Sequence, residues 1–217
     1  MKLHLIWDLD GTLVNSEPEI LTTIQKALAT IGLSVEDVIS PLRIGPPLPT
    51  MLRTSYSEDI LTDRQLDEVV KAFRQIYDAS DFEETRPFDG IDELIHSTEY
   101  IHHVITNKPF FATSRIIKKK GWRNYVVEIL TPDTLIEKFG RSLSKSELFQ
   151  YFRSTHPDIF AIGIGDMAKD AECAKAVDMP ALGVLWGTGT KEELFNAGCE
   201  YIVENVEELR EILKNYS

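Results

Sequence analysis

Residues 1–14 read MKLHLIWDLDGTLV, and the fold turns on how that stretch ends. An apolar run stops at two aspartates, Asp8 and Asp10, with Gly11 directly after them. Leu3, Leu5, Trp7 and Leu9 alternate with His4, Ile6, Asp8 and Asp10, the period of an extended strand. Both series are largely apolar before the carboxylates, which suits a strand buried on both faces of a parallel sheet. Two carboxylates this close repel each other unless a metal ion, a shared proton or water offsets their charge.

Beyond the strand, Ser16 and Glu19 stand in capping-box spacing with Pro18 inside the first turn. Ile20, Ile24, Leu28 and Ile31 then recur at helical spacing as far as Gly32. From 33 to about 80 only helical patterns occur, such as LTDRQLDEVVKAFRQIYDAS, broken by PLRIGPPLPT. A helical block after one strand, before strands resume, reads as an insertion into the sheet's chain order. Its exit falls in ETRPFDG (84–90), rich in turn formers. After Gly90 helix and strand patterns alternate. The strands are HHVIT (102–106), VVEIL (126–130), IFAIGIG (159–165), ALGVLW (181–186) and YIV (201–203), and a helix over 206–215 ends the chain. This predicts an α/β fold, a doubly wound, Rossmann-like parallel sheet with a small all-helical cap inserted after the first strand. The core is expected at 1–15 and 84–217, the cap at 16–83.

Composition narrows the function. The net charge of −12 and pI near 4.9 disfavour a nucleic-acid or anionic-membrane partner, since both need a basic footprint. A small anionic substrate stays open, because a metal and a few cations reverse the sign within one pocket. Cys173 and Cys199, the two cysteines, have no metal or redox spacing and read as small core residues. With no leader pattern before the first strand and no long apolar run, a cytoplasmic protein is expected. Oligomeric state is not legible.

In open α/β sheets, ligands bind beyond the carboxyl ends of the strands. Asp8 and Asp10 end the first strand, Thr106 and Asn107 the second, and Asp166 the IGIG strand, with Asp170 one turn on. Lys145 falls near the start of the helix after VVEIL. Parallel strands would gather all of these on one rim. Mg²⁺ held by Asp8 and Asp166 would neutralise the crowded carboxylates, leaving Asp8 as a nucleophile toward phosphorus. Asp10, spared direct side-chain ligation, would keep a proton and act as general acid. Gly11 lets the backbone approach a phosphoryl group, and Lys145 with Thr106 would stabilise its charged oxygens.

WDLDGTLVNSEP, ITNKP, Lys145 and GDMAKD, in this order, resemble the four motifs of the haloacid dehalogenase superfamily. The chain is similar in particular to its phosphoglycolate-phosphatase-like branch, through IGPPL (44–48), RPFDGI (86–91) and GVLWGTG (183–189) as well. The resemblance implies a Mg²⁺-dependent phosphatase acting on a small phosphorylated metabolite. It casts Asp8 as the residue that becomes an aspartyl-phosphate and Asp10 as acid/base. Thr106 and Asn107 become phosphate binders and Asp166, supported by Asp170, a metal ligand, with the backbone carbonyl of Asp10 as another. Lys145 is the implied third-motif lysine, with Lys138 as the alternative, since SLSKSEL lacks the common Lys-Pro wording. Arg43, in the cap, is a candidate for reading the substrate.

Ordinary readings stand beside these. His102 and His103 read as packing residues, the KKK run at 118–120 as a solvated helix end, and GVLWGTG lies too late for a dinucleotide fingerprint. The rival functions are a hexose-phosphate mutase of the same superfamily and a non-catalytic binding protein on the same fold; a degenerate fold would be expected to lose Asp8 or Asp10 first.

Overall fold

The computed structural model of the chain describes residues 2–42 and 44–216. Strand β1 (Leu3–Trp7) and the two-residue β2 (Val14–Asn15) lead into helices α1 (Glu17–Ala29), α2 (Leu48–Ser55) and α3 (Asp63–Ala79). After β3 (Arg86–Pro87) come α4 (Ile91–His96), β4 (Tyr100–Ile105), α5 (Phe110–Lys119), β5 (Val126–Leu130), the one-turn α6 (Ile136–Phe139) and α7 (Lys145–Thr155). The chain finishes with β6 (Ala161–Gly165), α8 (Ala168–Lys175), β7 (Ala181–Val184), α9 (Lys191–Asn196), β8 (Tyr201–Val203) and α10 (Val206–Leu213). Two compact units result, Met1–Asn15 with Pro87–Ser217, and Ser16–Arg86. No helix among the described residues is long and apolar enough to cross a membrane.

The first unit is built on a six-stranded sheet in the order β5-β4-β1-β6-β7-β8, every neighbouring pair parallel. This is the parallel α/β sheet the alternation implied. From β1 the chain adds β4 and β5 on one side, then returns to β1's other side with β6. The order therefore reverses at β1, the place where open parallel α/β sheets hold their ligands beyond the carboxyl ends of the strands. Register places Leu5 opposite His102 and Ile162, so the apolar run read first in the sequence is flanked on both sides. On one sheet face Ile6 and Ile105 join Leu148, Phe149 and Phe152 of α7 and Ala171 and Ala174 of α8 in a single core cluster. Cys173 is buried in the same cluster, as a small apolar residue would be.

The second unit is helical. Ile20, Ile24 and Leu28 of α1 are buried, as are Leu66, Val69 and Tyr77 of α3, and the two helices pack together. Thr62 caps α3 in a reciprocal capping box with Gln65. The box expected at Ser16 and Glu19 does not form: Ser16 makes no side-chain cap bond. Glu19 is buried instead, accepting from the Thr85 N–H at 3.1 Å and hydroxyl at 2.8 Å, and from the Ser80 hydroxyl. A carboxylate with three donors inside the unit gains more than one bonding an exposed helix end.

The histidines of β4 sit on opposite faces. His103 meets His4, ring nitrogens 2.9 Å apart, and packs edge-on against Phe152. His102 is buried on the other face, its Nδ1 accepting from the Trp7 indole N–H at 3.0 Å. Burial holds His102 down to about 4, with the Ser97 backbone opposing and His103 adding to the shift. The unfolded chain takes up this proton near 6.5, while the folded chain refuses it until about 4. This histidine's contribution is therefore complete above 6.5 and is lost as pH falls. In urea titrations the wild-type advantage over His102→Asn shrinks by about 3 kcal/mol between pH 7 and pH 4. An advantage independent of pH would contradict a neutral buried His102.

Candidate active site

Asp8 follows β1 directly, and its N–H donates to the Ile164 carbonyl at 2.9 Å, extending the ladder with β6 up to the carboxylate. The chain then turns: the Gly11 N–H reaches the Val14 carbonyl at 2.9 Å, and the Leu13 and Val14 N–H groups share the Leu9 carbonyl. Gly11 has φ of +81°, and a Cβ there would run into the Asp166 carboxylate. Only glycine satisfies both demands.

Asp166 follows β6 and is 1% exposed. Three donors hold it: the Thr12 hydroxyl at 3.1 Å on Oδ1, and the Thr188 N–H at 2.8 Å and hydroxyl at 3.1 Å on Oδ2. Asp170, in the first turn of α8, accepts the Met167 N–H at 3.0 Å. Lys145 opens α7 behind Ser144, whose hydroxyl caps the helix while Glu147 bonds back to the Ser144 N–H at 2.8 Å. Its ammonium, 5% exposed, lies 2.5 Å from Asp8 Oδ1 and is also paired with Asp170. Lys138, the alternative, lies elsewhere, over the rings of Tyr151 and Phe139.

Oxygens of Asp8, Asp166 and Asp170 all fall within 4.8 Å of one another. Burial pushes Asp8 up to about 7; Lys145 opposes this and the two other aspartates reinforce it. Asp166 is pushed up to about 6, again by burial and Asp170, against the pull of its three donors. Lys145 moves the other way: burial alone would lower it, but Asp170 and Asp8 hold the ammonium well above the ordinary lysine range.

Thr106 follows β4, its N–H on the Leu130 carbonyl at 3.2 Å and its hydroxyl accepting from the Lys108 N–H at 3.2 Å. Asn107 is half-buried in the same turn. The carboxylate of Asp10 faces Lys108, whose ammonium is 2.9 Å from Oδ2. The rim thus gathers Asp8, Asp10, Gly11, Thr106, Asn107, Lys145, Asp166 and Asp170. Arg43 lies outside the described residues.

Three residues at the rim were not singled out in the sequence: Thr12, Lys108 and Thr188. Lys108 stood within ITNKP, but a lysine in a turn ordinarily reads as solvated. The signal for Thr188 was the flanking glycines, which mark a close approach rather than a nucleotide loop. A Cβ at Gly187 would meet the Asp166 side chain and the Gly11 carbonyl, and one at Gly189 would meet the Asp166 carbonyl.

The profile of haloacid dehalogenase-like hydrolases matches residues 5–184, from β1 to the end of β7. The chain belongs to that family. This haloacid dehalogenase-like hydrolase is 27% identical to a phosphoglycolate phosphatase of Xylella fastidiosa, covering 87% of this chain and 82% of the relative. It is 26% identical to a 5'-nucleotidase of Pseudomonas aeruginosa, covering 98% and 96%. A crystal structure of a predicted phosphatase from Clostridium acetobutylicum superimposes with a TM-score of 0.81 at 29% identity, over 99% of both chains. The hydrolase is an enzyme of the phosphatase type, phosphoglycolate-phosphatase-like within its family.

Removing the buried ammonium should expose how strongly the carboxylates repel. Lys145→Met is expected to destabilise the metal-free hydrolase by about 3 kcal/mol or more at pH 8. The loss should be smaller at pH 5, where Asp8 is protonated without its partner. Equal losses at both pH values, read from urea unfolding, would argue against this charge coupling.

Proposed function

We propose that this hydrolase is a Mg²⁺-dependent phosphatase that cleaves a small phosphomonoester through an aspartyl-phosphate on Asp8. The observation carrying the reading is the buried Asp8–Asp166–Asp170 group with Lys145 on Asp8. Among the described residues, four rim carboxylates face two ammonium groups, Lys108 and Lys145, leaving two negative charges. Burial is the first cause of the upward shifts of Asp8 and Asp166, and the neighbouring aspartates add to it, so a cation at the site would ease the cost of keeping them ionised. A hard divalent cation with oxygen ligands fits that deficit. Asp8 and Asp166 would hold it, with the Asp10 carbonyl, and Asp170 would support them from its place on Lys145. Bound there, Mg²⁺ would supply charge neutralisation for the incoming phosphate and its transition state.

In this reading the chain's own groups divide the reaction. Lys145 holds Asp8 Oδ1, which would leave the other oxygen to attack phosphorus. That oxygen bonds to phosphorus as the ester P–O bond breaks, and Asp10 gives its proton to the departing alkoxide. Asp10 then takes a proton from water, whose oxygen attacks phosphorus and releases inorganic phosphate from Asp8. Lys145, Thr106 and Asn107 bind the charged phosphoryl oxygens, with the Gly11 backbone close beside them. The α/β unit is taken as the catalytic body and the helical insertion as the cap. The names borne by the relatives favour phosphoglycolate or a nucleoside monophosphate among small phosphate esters, and a panel compared by kcat/KM would choose between them.

Asp8→Asn is expected to abolish turnover of 4-nitrophenyl phosphate with an unchanged circular dichroism spectrum. Chelation should silence the wild type and added Mg²⁺ restore it. Persistent hydrolysis in the variant, or in excess chelator, would defeat the reading.

A further inference from the structure

We infer that Lys108 is a positioning residue for the proton-transfer step: its ammonium fixes the orientation of the Asp10 carboxylate. The inference rests on the phospho-aspartyl reading above, in which Asp10 protonates the leaving oxygen.

Asp8 and Asp10 are held in different ways. The β1–β6 ladder runs up to the N–H of Asp8, so that residue is fixed by the sheet itself. Asp10 lies past the end of β1, in the turn that comes back to pair with Val14. Two side-chain torsions separate its carboxylate from the backbone, and a general acid works only from a narrow range of positions. Lys108 approaches Oδ2 to 2.9 Å from the neighbouring strand end, with its own side chain 5% exposed. A buried ammonium is costly unless a charge and hydrogen bonds meet it, so this lysine is not an ordinary surface charge that happens to lie nearby.

The root of Lys108 is rigid as well. Its N–H donates to the Thr106 hydroxyl at 3.2 Å, and its carbonyl accepts from the Thr113 hydroxyl at 3.3 Å. Pro109 follows and α5 starts at the next residue, so the turn is closed on both sides. One short turn therefore carries two functions: Thr106 faces the phosphoryl oxygens, and Lys108, two residues on, sets the acid. Such an arrangement keeps the acid at a constant distance from the group it must protonate, and misplacement of about 1 Å in such a site costs roughly a hundredfold in rate.

The test uses leaving-group chemistry, which separates orientation of an acid from general damage. A nitrophenolate departs without needing a proton, whereas a simple alkoxide does not. The full-length Mg²⁺-loaded enzyme, in excess over substrate so that only the first phosphoryl transfer is seen, is mixed with 4-nitrophenyl phosphate or with propyl phosphate. For Lys108→Met, propyl phosphate cleavage is expected to slow about a hundredfold, while nitrophenyl cleavage slows less than tenfold. Lys108→Arg, which keeps a charged donor, should recover much of the lost rate and also serves should the methionine variant not fold. Equal losses on both esters, or no loss on either, would overturn the inference. Asp10→Asn is run beside them: if it shows no leaving-group dependence, the acid role of Asp10 itself fails. If it does and the Lys108 variants do not, only the role of Lys108 fails.

Discussion

Crowded negative charge at one end of a parallel sheet is the constraint on which the rest of this structure depends. Carboxylate oxygens within 4.8 Å of each other repel by about 3 kcal/mol per pair at the effective dielectric of a protein site. The fold does not relieve this by exposing them, because Asp8, Asp166 and Asp170 are all buried. It supplies fixed positive groups instead. Lys145 enters from the start of α7, Lys108 from the end of β4, and N–H and hydroxyl donors from the turn after β1 and the loop after β7. None of these is close to its partner in sequence except through the sheet, whose strand order reverses at β1. The topology is thus what makes the charge arrangement possible.

Much of this was legible in the sequence because the signals were local. Alternation of apolar residues gave the strands, and two aspartates closing an apolar run marked a strand end. Gly11 was read as room for a phosphoryl group, whereas its φ of +81° and its closeness to Asp166 are visible only in the fold. Lys145 was placed by its order after the VVEIL strand, while the Ser144–Glu147 cap that starts its helix went unread. What was missed depends on contacts between distant residues. Lys108 carries no local sign of burial, and its ion pair is with Asp10, almost a hundred residues earlier in the turn after β1. Thr188 is informative only once Asp166 is seen beside it. The Ser16–Glu19 pattern misled for the same reason: Thr85 and Ser80, more than sixty residues on, claim the carboxylate. The strands β2 and β3 and the single turn of α6 are too short for any periodicity to register.

Strand β1 is used at every level of the structure. Its middle residues make the core on both faces, with Ile6 toward α7 and α8 and Trp7 toward His102. Its final ladder bond aims Asp8, and the turn after it brings Gly11 and Thr12 against Asp166. Packing in the centre of the sheet and alignment of the rim are therefore mechanically one problem. The parallel register that buries Leu5 between His102 and Ile162 also sets the distance between the first and fourth aspartate clusters.

Gly187 and Gly189 bear on how the rim can vary. Both lie so near Asp166 that a methyl group at either position would overlap its atoms, while Trp186 and Thr188 between and before them bond back to Thr12 and Asp166. The segment after β7 works as a fitted wall against Asp166 and the turn after β1. A side chain at either glycine would push Asp166 away from Asp8 and Asp170 and so undo the carboxylate cluster from behind.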